Sequence, residues 1–252
     1  MSGPFQCNPF PVVAWFDYSI TLTFAVPVRE LAARLPPCLE VDSYDDKWGF
    51  LAVALVRTRG LRPKGMPGIL GRDFLLAGYR HFVRYQSASG RRLRGLQIIR
   101  SETDKRSMVT LGNIFTPYLY QYRPIVTEVS DDLFTAFDEN SGFRISVQPV
   151  DEEDENLPEG SVFPDWRAAR RFCGPMPYTF SYDADKGRVL VIEGQREKWK
   201  PKSMKVIEYN VPYLKTLGFS EVRLATAFTV RDVPYSWKKG RAEAWPSKER
   251  NA

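Results

Sequence analysis

The chain has 252 residues, 43% of them hydrophobic and 13% aromatic, and carries a net charge of +6. This composition excludes a disordered or low-complexity chain and provides for a sizeable core. Basic and acidic residues are interleaved and no motif of the usual nucleic-acid modules occurs, so no nucleic-acid partner is expected. The cysteines Cys7, Cys38 and Cys173 are odd in number, far apart and without a CxxC pair, which suits a reducing compartment. The single histidine, His81, leaves no room for a multi-histidine metal site, and no metal or other cofactor is expected. There is no basic-then-apolar leader, and every apolar run is far shorter than the ~20 residues of a membrane span. The reading is a cytoplasmic protein with no membrane partner.

Val12 to Phe24 is rich in Val, Trp, Phe, Tyr, Ile and Thr and predicts a strand. Pro27 opens a short helix with Leu31 and Leu35 on one face, and Pro36-Pro37 stop it. A short strand is expected over Leu39 to Ser43. Trp48 to Arg59 is a long strand whose middle, Phe50 to Val56, is apolar on both faces, as in a central strand. Gly60 to Gly71 is a Gly/Pro loop that suits either a wall of a site or a plain connection. Phe74 to Gln86 and Leu93 to about Leu111 are expected as antiparallel neighbours about a turn at Ser87 to Gly90. His81 lies in an alternating strand pattern and reads as structural.

Val126 to Val150 holds more strand, clearest at Phe143 to Val147. Asp151 to Gly160 is an acidic, solvated loop. Asp165 is placed to cap a helix through Phe172 that Gly174-Pro175 end. A hairpin over Pro177 to Tyr182 and Arg188 to Trp199 follows, then strands at Val206 to Val211 and Val222 to Val230. A frayed polar tail is expected over 240–252. With nine to twelve strands, two or three short helices, no repeat and no linker, the pattern predicts one domain spanning 1–252. Its class is mainly β with short peripheral helices, and closure into an antiparallel barrel would remove the sheet edges.

The least generic stretch is Arg91 to Pro124, where Arg100, Glu102, Asp104, Lys105 and Arg106 sit between two apolar runs. A period of two puts Arg100, Glu102 and Asp104 on one face and Ser101, Thr103 and Lys105 on the other. Pointing inward, Arg100 could bind a carboxylate and Glu102 could act as a general acid or base; pointing outward, the same residues form a solvated ladder. Tyr118, Tyr120 and Tyr122 either line an aromatic cavity or pack a strand edge. Glu193 and Arg196 are further cavity candidates, on opposite faces of their strand.

The blocks PFPVVAWFDYSITLTFAVP, ELAARLPPCLEVD, GFLAVALVRTRGLRP, LGRDFLLAGYRHFVRY, LRGLQIIRSETDKRSMVTLGN and RRFCGPMPYTFSY resemble, in order and spacing, a bacterial family of unknown function in the acetoacetate decarboxylase-like superfamily. The resemblance runs from about Val12 to Lys238. It implies a closed, cone-like, mostly antiparallel β-barrel with an interior site. It also implies a lyase of decarboxylase, aldolase or dehydratase type acting on a small keto acid or related carboxylate. The decarboxylase works through a Schiff-base lysine in a Gly-x-Pro-Lys-Lys motif, whose counterpart in position is Thr103-Asp104-Lys105-Arg106, with the glycine and proline missing. Lys105 would then be catalytic, provided desolvation lowers its pKa by roughly three units. A non-catalytic barrel for a carboxylate or apolar small molecule is the alternative, and a homo-oligomer fits either.

Overall fold

Strand-forming residues dominate long segments, and long strands follow. The computed structural model describes residues 6–151, 157–197 and 199–245. Four strands of fifteen or sixteen residues carry the architecture: β1 (Val12–Pro27), β3 (Trp48–Pro63), β4 (Arg72–Gln86) and β13 (Arg223–Trp237). Short β2 (Leu39–Val41) follows helix α1 (Val28–Ala32), as expected from the prolines on either side. β5 (Arg92–Thr103) pairs antiparallel with β4 across the turn at Ser87 to Gly90.

The chain then departs from the predicted strand. Arg106–Phe115 is helix α2, so the strand expected to reach Leu111 ends at Thr103. Met108, Leu111 and Phe115 recur at helical spacing and share a face. That period, set behind a run of alternating charge, is easily misread as two. β6 (Tyr120–Tyr122) returns to pair with β5 in parallel. β7 (Val126–Ser130), β8 (Leu133–Asp138) and β9 (Phe143–Pro149) form a meander. Helix α3 (Trp166–Phe172) is capped as the sequence indicates, with Asp165 Oδ1 accepting from the Ala168 N–H at 2.7 Å. β10 (Tyr178–Asp183) and β11 (Arg188–Arg196) make the expected hairpin. β12 (Lys202–Asn210) and helix α4 (Pro212–Thr216) precede β13, and β14 (Arg241–Ala244) pairs with β11. Ordered pairing thus continues past residue 240, and the remainder of the expected frayed tail, 246–252, lies outside the described residues, as do 152–156 of the acidic loop.

Among the described residues the strands form one sheet of fourteen, more than the nine to twelve expected. It closes on itself: β1, β3, β4, β5, β10, β11 and β13 follow one another by hydrogen bonding, and β13 pairs with both β11 and β1. The pairings are antiparallel except β5 with β6 and β5 with β10. This is the closed, mainly β barrel that the sequence predicts. None of the described helices is long and apolar enough to cross a membrane.

Alternation divides the long strands between two cores. Ile20, Leu22, Leu51, Val53, Leu75 and Tyr79 face outward and are covered by β8, β9, β12 and α4. Phe16, Phe50, Ala52, Val56, Phe82 and Val230 face into the ring, where Trp166, Ala169 and Met176 of the α3 segment plug one end. Asp42, fully buried between Arg84 and Arg94, fixes this plug, because Arg94 also donates to the Phe172 carbonyl and stacks on the Phe172 ring.

His81 is buried on β4, opposite in parity to Arg80, with Nδ1 3.3 Å from Gln97 Oε1. Burial pushes its pKa down to about 4, and the charge of Arg34 adds to the effect. The unfolded chain therefore takes up this proton first, near pH 6.5. Stability is expected to fall as pH drops from about 6.5 to about 4, by on the order of 3 kcal/mol. Urea unfolding of His81→Leu across that range should show a shallower slope than the parent protein.

Candidate functional site

The ring encloses a cavity of about 420 Å³. Phe16, Val56, Phe74, Leu76, Phe115 and Trp237 give it apolar walls, while Arg80, Tyr118 and Tyr120 are its inner polar groups. A second space of about 50 Å³ meets it at Arg80 and is lined by Ser19, Thr21, Phe82, Arg196 and Phe228. Arg80 therefore stands between the two. A strand residue faces inward here because of parity, and its length carries the guanidinium to the centre.

Two glycines make room for these groups. A Cβ on Gly78 would lie 3.1 Å from the Arg80 guanidinium, which folds back along its own strand. A Cβ on Gly112 of α2 would run into the Tyr120 ring. Asn113 fixes the same tyrosine's backbone, accepting from its N–H at 2.8 Å and donating to its carbonyl at 2.9 Å. Leu119, between the two tyrosines, holds φ at +53°. That region costs a non-glycine residue about 1 kcal/mol or more.

The electrostatics are one-sided. Arg80 Nε is buried without a hydrogen-bond partner, and so is Arg196 Nη2. Burial pushes the pKa of both guanidinium groups down, with only the tyrosines opposing it. An arginine nevertheless remains charged at any physiological pH. Arg196 stacks on Trp199 at 4.5 Å and on Tyr235 at 5.6 Å. No carboxylate lines either space among the described residues, and neither arginine forms an ion pair there. Burial pushes the Tyr120 hydroxyl up to about 12, against the opposing pull of Arg80, so it stays protonated and able to donate. Tyr118 is raised further, again by burial, and its hydroxyl shares a hydrogen bond with Thr179 at 3.0 Å.

The residues singled out in the sequence are dispersed. Tyr118 and Tyr120 line the cavity and Arg196 lines the smaller space. Lys105 is exposed at the N-terminus of α2 and borders neither space. Arg100 and Glu102 pair across from Tyr79 and Ala77, which face the outer core. Glu102, 1% exposed, lies 2.7 Å from Arg100 and 3.0 Å from Arg123, and accepts from the Tyr79 hydroxyl at 3.0 Å. Arg123 also reaches Asp138 at 3.0 Å, and Arg100 covers the Tyr213 ring at 4.5 Å. Asp104 accepts from the Leu75 N–H, and Glu193 pairs with Lys238 at 2.8 Å on the outside of the ring. Tyr122 is exposed under Arg106, 4.0 Å from its ring centroid. Arg80 lies in the alternating pattern of Tyr79 to Tyr85, which the sequence presents as an ordinary strand about His81. Gly78 two residues before it was the available signal.

The Glu102 network is a charge-balanced cluster outside the cavity, with two arginines set against two carboxylates, although Arg100 Nε, Arg123 Nε and Glu102 Oε1 are buried without a geometrically good hydrogen bond. Replacing Glu102 by Gln leaves Arg100 with no counter-charge in that network. Glu102→Gln is expected to lower unfolding stability by about 3 to 5 kcal/mol, read as a shifted denaturant midpoint.

The fold has known counterparts. An acetoacetate decarboxylase from Legionella pneumophila subsp. pneumophila str. Philadelphia 1 aligns with a TM-score of 0.58 at 12% identity, covering 94% of this chain and 88% of its own. An acetoacetate decarboxylase-like enzyme from Sphingomonas wittichii RW1 aligns with a TM-score of 0.55 at 11% identity, covering 92% of each chain. The enduracididine biosynthesis enzyme MppR, in complex with pyruvate, aligns with a TM-score of 0.57 at 11% identity, covering 93% of this chain and 90% of its own. At such identities the likeness is one of fold. No curated protein matches the sequence. The model of one family, DUF2071, an uncharacterized conserved protein (COG2071), matches residues 14–236, and the chain belongs to that family with an acetoacetate decarboxylase-like fold.

Proposed function

We propose that this protein binds a small carboxylate with an apolar body inside the ring, the carboxylate paired with Arg80. The observation that carries this reading is an arginine in the cavity whose Nε is buried without a hydrogen-bond partner and which no described carboxylate neutralises. A desolvated cation of this kind costs stability unless an anion joins it, and a ligand carboxylate would supply two acceptors in matched geometry. Tyr120 would add a neutral hydroxyl donor, and Arg196 a second cation on the far side of Arg80. The walls formed by Phe16, Phe74, Leu76 and Trp237 suit an apolar body. MppR, of similar fold, holds pyruvate, which places keto acids in the first ligands to test.

Binding is the function this geometry supports best. A lyase working through a Schiff base needs an amine on the cavity wall, and no lysine is among the described residues there. Borohydride treatment in the presence of β-keto acids is therefore expected to leave no mass adduct on Lys105; an adduct there would restore the lyase reading.

The binding reading is tested on Arg80→Met. Removing an unneutralised buried charge is expected to raise ligand-free stability by about 1 to 4 kcal/mol. The same change should abolish the thermal shift given by carboxylates, which in the parent protein is worth about 2.7 kcal/mol at a hundredfold excess over Kd. A destabilised variant, together with a parent protein that no carboxylate shifts, would overturn it.

A further inference from the structure

The mouth of the cavity can be located from residues that line it and are also exposed. Leu70 and Leu111 do both, 53% and 36% exposed. Near them in the chain stand further exposed apolar side chains. Ile69, at the tip of the 3-10 turn Gly68–Leu70, is 92% exposed, and that turn buries no residue. Met66 precedes it, and Ile114 lies one helical turn beyond Leu111 on α2, 43% exposed. Together these exposed apolar side chains form a rim at the mouth.

The charge about the rim has one sign. Residues 57–72 contain Arg57, Arg59, Arg62, Lys64 and Arg72 and no acid, and residues 105–122 contain Lys105 and Arg106 and no acid. The flanking acids are engaged: Asp17 with Arg59, Asp104 with Arg57, and Asp73 with the Gly60 N–H. Arg62, Lys64, Arg72, Lys105 and Arg106 have no ion pair among the described residues.

We propose that this rim docks on an anionic lipid surface, with Ile69, Leu70 and Ile114 entering the headgroup boundary and the surrounding cations facing the lipid phosphates. Apolar tips ringed by cations match such an interface on both counts, burial of apolar area and attraction to negative surface charge. An acidic protein partner would match the charge, but three scattered Ile and Leu side chains offer it little apolar surface to bury. The docking surface surrounds the opening of the cavity, so an amphiphile could pass between the bilayer and the ring without crossing water. The proposal rests on exposure and charge at the rim and holds whatever occupies the space at Arg80.

The test is co-sedimentation of the whole protein with vesicles of phosphatidylcholine alone and of phosphatidylcholine mixed with phosphatidylglycerol. Binding is expected to the mixed vesicles only, and to fall steeply as salt rises. Ile69→Asp is expected to weaken it about tenfold or more. Lys64→Glu with Lys105→Glu should weaken it comparably while leaving the thermal melt unchanged. Neither variant touches a residue lining the cavity, and circular dichroism of each checks the fold. No binding to anionic vesicles at low salt would overturn the proposal. So would equal binding by the Ile69→Asp protein, or self-association that Ile69→Asp abolishes in the absence of lipid, which would assign the rim to a second copy.

Discussion

Closure of the sheet is the constraint on which the rest depends. β13 hydrogen-bonds to β1 along nearly its whole length and to β11 at its end, so the inward side chains of seven strands meet one another instead of solvent. Every inward position is then either packed or must be satisfied within the ring. Most are packed. Arg80 and Arg196 are cations there without an anion, and that gives the interior its chemical character.

The two faces of β4 and β5 make the contrast concrete. On the outer face Glu102 gathers Arg100, Arg123 and the Tyr79 hydroxyl, and Arg123 gathers Asp138. Cations and anions there come as a set, buried together, each answering the other. One strand position away, on the inner face, Arg80 has aromatic hydroxyls near it and no anion. The same sheet thus holds one cluster whose charges balance and one that lacks an anion. Charge balance suits a structural network, and the missing anion, in a cavity with apolar walls, is what the proposal of a ligand site rests on.

Much of the fold could be read in the sequence because it follows from local pattern. The prolines about α1, Asp165 before α3, the Ser87 to Gly90 turn and the alternating β1, β3 and β4 each announce their own structure. α2 could not be read so directly. Its apolar residues are few, and the charges ahead of it extend an alternation that belongs to β5. The candidate site was legible only in part. Tyr118, Tyr120 and Arg196 were visible as candidates, but the crowding of charge at Arg100 to Arg106 drew attention to the outer face. Which face of a strand is enclosed depends on pairing with segments over a hundred residues away, such as Ser19 with Val230, and a single strand carries no record of it.

The order in which the ring is assembled follows from its closure. β1, β3, β4 and β5 are made early, but the strands that complete the circle, β10, β11 and β13, all lie beyond residue 177. Until they arrive, the inner faces of the first four strands have no partner across the ring, and the edge of β1 that will receive β13 is open. Distant pairing of this kind is slow. During synthesis the nascent chain therefore presents an unpaired edge beside an apolar face for most of its length, the combination most prone to aggregation. The cavity is the last part of the molecule to exist, and its formation coincides with the step that makes the chain safe from its neighbours.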